Sequence, residues 1–274
     1  MAVEGFIANE ANGACIYTIP SFTETGLVKH GFSTRLGGVS TGECASLNLG
    51  FKRKDSREAV TENFARFCRA AGIPPESMVF SDQVHRDVVR VVGREDMGKG
   101  FVRPSDIYET DGLATNEPGV ALVTLYADCV PLFFLDPVNK GIALSHSGWR
   151  GTVAQIGRKT VELMGEKFGT HPADCLAGIG PSIGSCCFEV DRPVAEAFLE
   201  VFPAHGERLV RQRRGEKYDI DLWEANRIQL TEAGIPGKNI TVASLCTCCR
   251  KDIFFSHRGD AGRTGSLAAI LMLK

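Results

Sequence analysis

His85 in "SDQVHRD", Cys129 in "YADCVPLFFLD" and His146 in "ALSHSGWRGT" are the side chains whose types and placement suggest chemistry. Each stands at the end of a strand-like apolar segment, where a polar side chain needs a reason to be. Two imidazoles and a thiolate suit a borderline-soft ion such as Zn²⁺, with three protein ligands and a fourth position open to water or substrate. No short motif links the three, so the residues alone leave other readings open. One is a pair of hydrogen-bonded histidines beside a buried thiol. Another is a nucleophilic Cys129 with His146 as its base, as in cysteine hydrolases and amidases, which needs no third ligand. A binding protein without turnover is a further class, against which the nearby Arg35, Gln83, Asp128 and Arg150 argue.

Anion binding has two candidate places. "SGWRGT" follows a strand and opens a helix, so backbone N–H groups and Arg150 can face an anion there. Arg35 in the glycine-rich "STRLGG" is the second, with Ser33 and Asn48 as supporting hydrogen-bond partners and Gln83 as a further substrate contact. A capped helix and an ordinary turn are the plain alternatives.

The ten cysteines are too sparse for a small disulfide scaffold and are expected to be reduced thiols. Cys68 lies on the apolar stripe of a helical pattern, and Cys15, Cys44 and Cys175 have no partner at metal-ligand spacing, so all four read as small buried hydrophobes. Cys186 with Cys187 and the run Cys246, Cys248 and Cys249 also read as buried thiols; a zinc ribbon from Cys186, Cys187, Cys246 and Cys249 is the alternative. "HGE" at 205–207 with "CTCC" imitates a nucleobase-deaminase zinc pattern, but the expected proline is missing and His205 lies in a charged segment.

The elements that must position these residues alternate along the chain. "LVKHGFSTR" reads as a strand, "SREAVTENFARFCRAAGI" as an amphipathic helix, and "MVFSDQVHRDVVRVV" as two short strands around a polar break. "GVALVTLYA", "VPLFFLD" and "GIALSH" are three further strands, followed by helices near 151–168, 191–202 and 221–234 and strands at "NITVASL", "DIFFSH" and "SLAAILML". The polar stretches 93–111 and 204–218 read as loops, and the basic "RLVRQRRGEK" as a solvated one. Helices and strands mix throughout, which sets the class as α/β or α+β. The net charge of −2 gives no whole-chain field to attract nucleic acid or an anionic membrane, and a small-molecule partner is expected. The N-terminal "MAVEGFIANE" lacks a basic segment followed by an apolar one, and no apolar run approaches the roughly 20 residues that cross a bilayer, so a cytoplasmic location is expected.

"HGFSTRLGGVSTGECASLNLG", "SDQVH", "TDGLATNEPGVALVTLYADCVPLFFLDP", "ALSHSGWRGT", "GIGPSIGSCCFEV" and "DLWEANRIQLTEAGI", taken in order, resemble the YfiH/laccase-domain family. Its members were once called multicopper polyphenol oxidoreductases and are now regarded as purine nucleoside phosphorylases. The resemblance implies one α+β domain over residues 1–274, with mixed sheets packed between helices in an α/β/β/α arrangement. It implies Zn²⁺ on His85, Cys129 and His146 as the catalytic centre. It also implies phosphorolysis of adenosine, inosine, guanosine and methylthioadenosine, with adenosine deamination as a side activity. Two departures stand near the C-terminus, where His257 replaces an expected tyrosine and Ser266 an arginine. A three-copper laccase needs about ten histidines. The chain has six, which excludes that centre but leaves a mononuclear copper site open as an in vitro alternative, since Cu²⁺ outcompetes Zn²⁺ for most such ligand sets.

Overall fold

Apolar runs rich in branched and aromatic residues pair into sheets here, and the amphipathic stretches cover the sheets' outer faces. In the computed structural model, which describes residues 5–274, two six-stranded mixed sheets face each other. The first contains β1 (Ile7–Ala11), β2 (Ala14–Thr18), β3 (Val28–Ser33), β4 (Met78–Phe80), β7 (Ala121–Tyr126) and β15 (Leu267–Leu273), in the order β1-β2-β3-β15-β7-β4. The second contains β5 (Val89–Val91), β6 (Gly112–Thr115), β8 (Val130–Asp136), β9 (Gly141–Ser147), β10 (Leu176–Ile179) and β14 (Ile240–Val242), in the order β14-β10-β8-β9-β6-β5. A small third sheet is made of β11 (Glu189–Asp191), β12 (Val210–Gln212) and β13 (Lys217–Ile220).

The continuous apolar runs follow from burial on both faces of a strand. In β15, Leu267, Ala269 and Leu271 point between the sheets, while Ala268, Ile270 and Met272 point outward to a helix. In β8, Phe133 and Leu135 point between the sheets, and Leu132 and Phe134 toward the helices behind the second sheet. After α1 (Pro20–Thr25), the helix α2 (Arg57–Ala71) covers the first sheet with Phe64, Phe67 and Cys68. Its ends are set by the Ser56 side chain, which accepts from Ala59 N, and by Gly72 in the left-handed conformation. The second sheet is covered by α4 (Ile156–Phe168), α5 (Arg192–Val201) and α7 (Leu222–Glu232), with the short α3 (Trp149–Val153) and α6 (Gly206–Leu209) beside them. The layers are therefore helix, sheet, sheet, helix, and the fold is α+β.

Three expectations are corrected. The helix read near 151–168 is two helices, α3 and α4, broken at Gln155, whose φ is 58°. "DIFFSH" forms turns rather than a strand; Phe254 and Phe255 look strand-like only because both are fully buried between the sheets. The polar stretch 204–218 is not a loop but carries α6, β12 and the start of β13. Several of its basic residues are paired with acids, Arg213 with Asp219 and Glu189, and Lys217 with Asp191. The stretch 93–111 is largely irregular, as read.

The topology brings the polar breaks together. Strands β4 and β5 are close in sequence but lie in different sheets, so the chain crosses between layers at 81–88. Strands β7 and β8 are likewise in different sheets, and the chain crosses at Ala127–Cys129. Both crossings lie beside the end of β9, where Pro131 of β8 faces His146.

Phe133 lies 1% exposed in the intersheet core, its ring 5.9 Å from that of Phe6. Phe133→Ala is expected to lower unfolding stability by about 3–5 kcal/mol in chemical denaturation, whereas Val138→Ala, at a position 65% exposed, stays within about 0.5 kcal/mol of wild type.

Candidate functional site

Two of the three sequence-selected residues depend on backbone that non-glycine residues seldom adopt. His85 has φ 63°, and Cys129 follows Asp128, which has φ 87°. Such conformations cost about 1–3 kcal/mol each and persist only where the surroundings enforce them. At His85 the enforcing group is Asp111, fully buried at the start of the β6 segment. Its carboxylate accepts the backbone N–H groups of Val84 (3.1 Å), His85 (2.9 Å) and Arg86 (2.9 Å). At Asp128, Thr247 Oγ1 donates to Oδ1 (2.7 Å), Arg258 N donates to Oδ2 (2.6 Å), and Ile183 N donates to the Asp128 carbonyl (2.9 Å).

The same Asp111 Oδ1 lies 2.8 Å from His146 Nδ1. Because that nitrogen is engaged, the Nε2 of His146 is the atom available to the Cys129 thiol. One ligand atom from each of His85, Cys129 and His146 lies within 4.8 Å of the others, and the two imidazole rings meet edge to face with centroids 4.9 Å apart. Space for an ion is kept by Gly148. A Cβ there would stand 3.1 Å from both Cys129 Sγ and His85 Cδ2 and 3.7 Å from His146 Cε1. Two imidazoles, one thiol and an imidazole-orienting carboxylate fit a transition-metal ion in both donor type and convergence.

Electrostatics in the metal-free set agree. Burial alone would raise the Cys129 thiol, but the His146 charge and hydrogen bonds from His146 and His85 bring it down to about 6. Burial would lower His146, but the Cys129 thiolate and the Asp111 hydrogen bond raise it to about 9. Asp111 would also be raised by burial, yet His146 and the N–H groups of Arg86 and Val84 hold it below the usual carboxylate range.

This set opens into a cavity of about 850 Å³, walled by aromatic residues including Phe51, Tyr108, Trp149 and Phe188. Gln83 lines it, with its amide paired to the Leu125 backbone at 2.7 Å in both directions. Asn48 lies beneath the wall, fully buried, where Oδ1 accepts from Gly50 N and Ser266 N. Ser33 is farther back, its Oγ accepting from Ala268 N. Neither arginine chosen from sequence reaches the cavity. Arg35 donates to the carbonyls of Ala45 and Lys251 and lies 4.6 Å over the Phe255 ring, which makes it a loop staple. Arg150 stacks on Trp149 at 4.4 Å, in a helix of five residues.

The cations that do line the cavity are Lys52, Arg53 and Arg258. Arg53 Nε donates to Ser266 Oγ at 2.8 Å, which draws the guanidinium to the wall. The guanidinium of Arg258 donates to the carbonyls of Cys187 and Glu189. Lys52, Arg53 and Asp111 were missed in sequence reading; "GFKRKDS" directly after the asparagine–leucine–glycine turn was the available signal for the first two. Both C-terminal departures, His257 and Ser266, line the cavity.

The cysteine expectation needs correction. Cys186 and Cys249 are exposed, Cys187 is half-buried, and with Cys246 their sulfurs converge, because two loops that are remote in sequence meet at one point. Cys68 and Cys175 are buried as read. His205 pairs with Glu232 at 3.2 Å and takes no part in that cluster.

A family model described as "Multi-copper polyphenol oxidoreductase laccase" matches residues 29–274. The purine nucleoside phosphorylase YlmD of Bacillus subtilis is 39% identical over 245 residues, 89% of this chain and 88% of that one. Among solved structures, YlmD from Geobacillus stearothermophilus superposes with a TM-score of 0.91 at 36% identity, covering 99% of this chain and 100% of that one. YfiH from Bacillus licheniformis gives a TM-score of 0.90 at 34% identity, covering 97% and 99%.

In metal-free protein, alkylation of Cys129 should follow a thiolate that forms as pH rises through about 6, well below the roughly 8.5 of a free cysteine. Asp111→Asn removes the support for the His146 charge, so the midpoint should move upward and Zn²⁺ affinity should fall about 10- to 100-fold in competition with a chelator. A wild-type midpoint near 8.5 would show that the thiol is not paired in this way.

Proposed function

Since the chain belongs to the laccase-domain family, whose similar members bear the name purine nucleoside phosphorylase, we propose that it phosphorolyses purine nucleosides in the aromatic cavity, with Zn²⁺ held by His85, Cys129 and His146. The observation that carries this reading is the placing of a metal-suited triad and two cationic side chains, Lys52 and Arg53, on one aromatic-walled cavity. Aromatic faces suit a purine, and the anchored guanidinium of Arg53 suits phosphate, with Lys52, which pairs with Asp82 at 3.2 Å, beside it.

The reaction breaks the bond between the ribose anomeric carbon and the purine nitrogen and forms one from that carbon to a phosphate oxygen. The purine leaves with the bonding electrons and takes up a proton. The chain must therefore hold two partners in line and favour charge on the departing base. Arg53 offers a planar fork matched to phosphate oxygens, and Lys52 adds a second charge at the same rim. Phe51, Tyr108 and Phe188 give the base surfaces to stack on and keep water from the reacting carbon. When bound, the ion supplies a Lewis acid at the floor of this cavity. Asp111 orients His146 through Nδ1, which leaves Nε2, together with the Cys129 sulfur, to face the ion.

Zn²⁺ is the ion proposed, because two imidazoles and one thiolate with an open position form its usual catalytic set. The nucleosides proposed, as the family resemblance implies, are adenosine, inosine, guanosine and methylthioadenosine, with adenosine deamination as a phosphate-independent side reaction. A second reading is favoured by one observation: the Cys129–His146–Asp111 line, with its lowered thiol, has the parts of a cysteine hydrolase. The close approach of His85, which a hydrolase dyad does not need, supports the metal reading over it.

With adenosine as substrate, adenine and ribose 1-phosphate should form only when phosphate is present, while any inosine should form without it. Arg53→Ala should raise the KM for phosphate about 10- to 100-fold, as the loss of a charge-assisted contact worth about 1.5–3 kcal/mol requires. Arg150→Lys should leave it unchanged. Product separation by chromatography checks all three, and an unaltered phosphate dependence in Arg53→Ala would move the anion site elsewhere.

A further inference from the structure

Cys186, Cys187, Cys246 and Cys249 lie outside the cavity chemistry, and their sulfurs are within 4.8 Å of one another. The geometry points to a second metal site, a structural Zn²⁺ or similar soft divalent ion held by these four thiolates.

The sulfur spacing fits an ion between them. Cys249 Sγ lies 3.4 Å from Cys187 Sγ and 3.5 Å from Cys186 Sγ. Four sulfurs about 2.3 Å from a tetrahedral ion stand roughly 3.8 Å apart, whereas a disulfide would bring two of them to about 2.05 Å. Cys246 and Cys249 also have the two-residue separation common in structural zinc sites, and the adjacent Cys186 and Cys187 supply the second pair from another loop. Full thiolate ligation leaves no open coordination position, which is the mark of a structural rather than a catalytic site.

The loops are held in register before any ion arrives. Ser182 and Cys246 form an isolated bridge, Ser182 N donates to Leu245 O at 3.2 Å, and Thr247 N donates to Ser182 O at 3.0 Å. Trp223 Nε1 donates to Ser182 Oγ at 2.7 Å and fixes the same loop from below. Gly184 N donates to Cys246 Sγ at 3.2 Å, the kind of N–H contact that stabilises a metal-bound thiolate. A Cβ on Gly184 would come within 3.3 Å of Cys186 Sγ and 3.0 Å of the Trp223 ring. Ion entry is open, since Cys186 and Cys249 face solvent. Binding displaces thiol protons to water and needs no oxidant or reductant.

Such an ion would tie together two parts of the cavity wall. One loop carries Ile183 and Phe188, which line the cavity. The other carries Thr247, whose hydroxyl holds Asp128 next to Cys129.

Metal content of the full-length chain, purified with reductant and loaded with Zn²⁺, gives the test. Wild type should retain two equivalents, Cys186→Ser/Cys249→Ser one, and His85→Ala/Cys129→Ala the other. Co²⁺ loading should show the strong thiolate charge-transfer absorption of a four-sulfur site in wild type and in His85→Ala/Cys129→Ala, but not in Cys186→Ser/Cys249→Ser. Should that serine variant fail to fold, wild type alone decides: Zn²⁺ should slow iodoacetamide labelling of Cys186 and Cys249 by at least about tenfold, reversed by a chelator, with Cys15 unaffected. Equal metal content in wild type and the serine variant, or no zinc protection of Cys186 and Cys249, would overturn the site. So would a disulfide among the four cysteines that persists in zinc-loaded protein.

Discussion

One buried carboxylate organises the chemistry of this molecule. Asp111 accepts three consecutive backbone N–H groups around His85 and also meets the Nδ1 of His146. A fully buried carboxylate is costly unless its oxygens are satisfied, and here four hydrogen-bonding groups do so. The satisfaction has a second effect, because two of those groups belong to His85 and His146 and the other two to the residues that flank His85. Stabilising the charge and assembling the ligand set are therefore one structural event. Asp111→Leu would remove the acceptor that three successive N–H groups share, so the His85 turn would lose the hydrogen bonds that keep it left-handed.

The two-sheet architecture explains why such a device is needed. Two of the three candidate ligands, His85 and Cys129, are carried where the chain leaves one sheet for the other, at 81–88 and at Ala127–Cys129. Crossings of this kind cannot use ladder hydrogen bonds, so side chains must satisfy the backbone instead. Asp111 does this for the first crossing. Thr247, Arg258 and Ile183 act at the second, through Asp128. Those hydrogen bonds sustain the strain at His85 and Asp128, and the strands on either side are fixed by the intersheet core, where Leu122, Phe133, Leu144 and Leu271 are all 1% exposed or less. A stiff core on both sides of each strand leaves the crossings little freedom to relax.

How much of this was legible in the sequence varies with the distance over which the signal acts. Doubly buried strands such as β7, β8, β9 and β15 announce themselves, because burial on both faces leaves an unbroken apolar run. Edge strands such as β1, nearly all exposed, carry no such run and were not seen. Phe254 and Phe255 imitate a strand while anchoring a turn, since burial alone does not specify backbone shape. Among site residues, His85, Cys129 and His146 were legible because each interrupts an apolar segment. Asp111 was not, because aspartate before glycine also marks an ordinary turn. The cysteine cluster was read as buried thiols because the pairing of Cys186 and Cys187 with Cys246 and Cys249 depends on two loops meeting, which local spacing does not encode.

The arginines show most clearly why residue type is insufficient. An arginine near a glycine-rich turn can recognise an anion or brace the turn itself, and the choice depends on whether its donors already have acceptors. Arg35 gives its donors to two carbonyls and covers Phe255, so an anion there would have to displace bonds that hold the loop. Arg53 is held through Nε to a hydroxyl on the cavity wall, and its side chain forms part of the cavity lining. Its partner Ser266 accepts from that Nε at 2.8 Å, so the short side chain at 266 and the cation at 53 form one arrangement. The cation at this wall is supplied from the loop after β3.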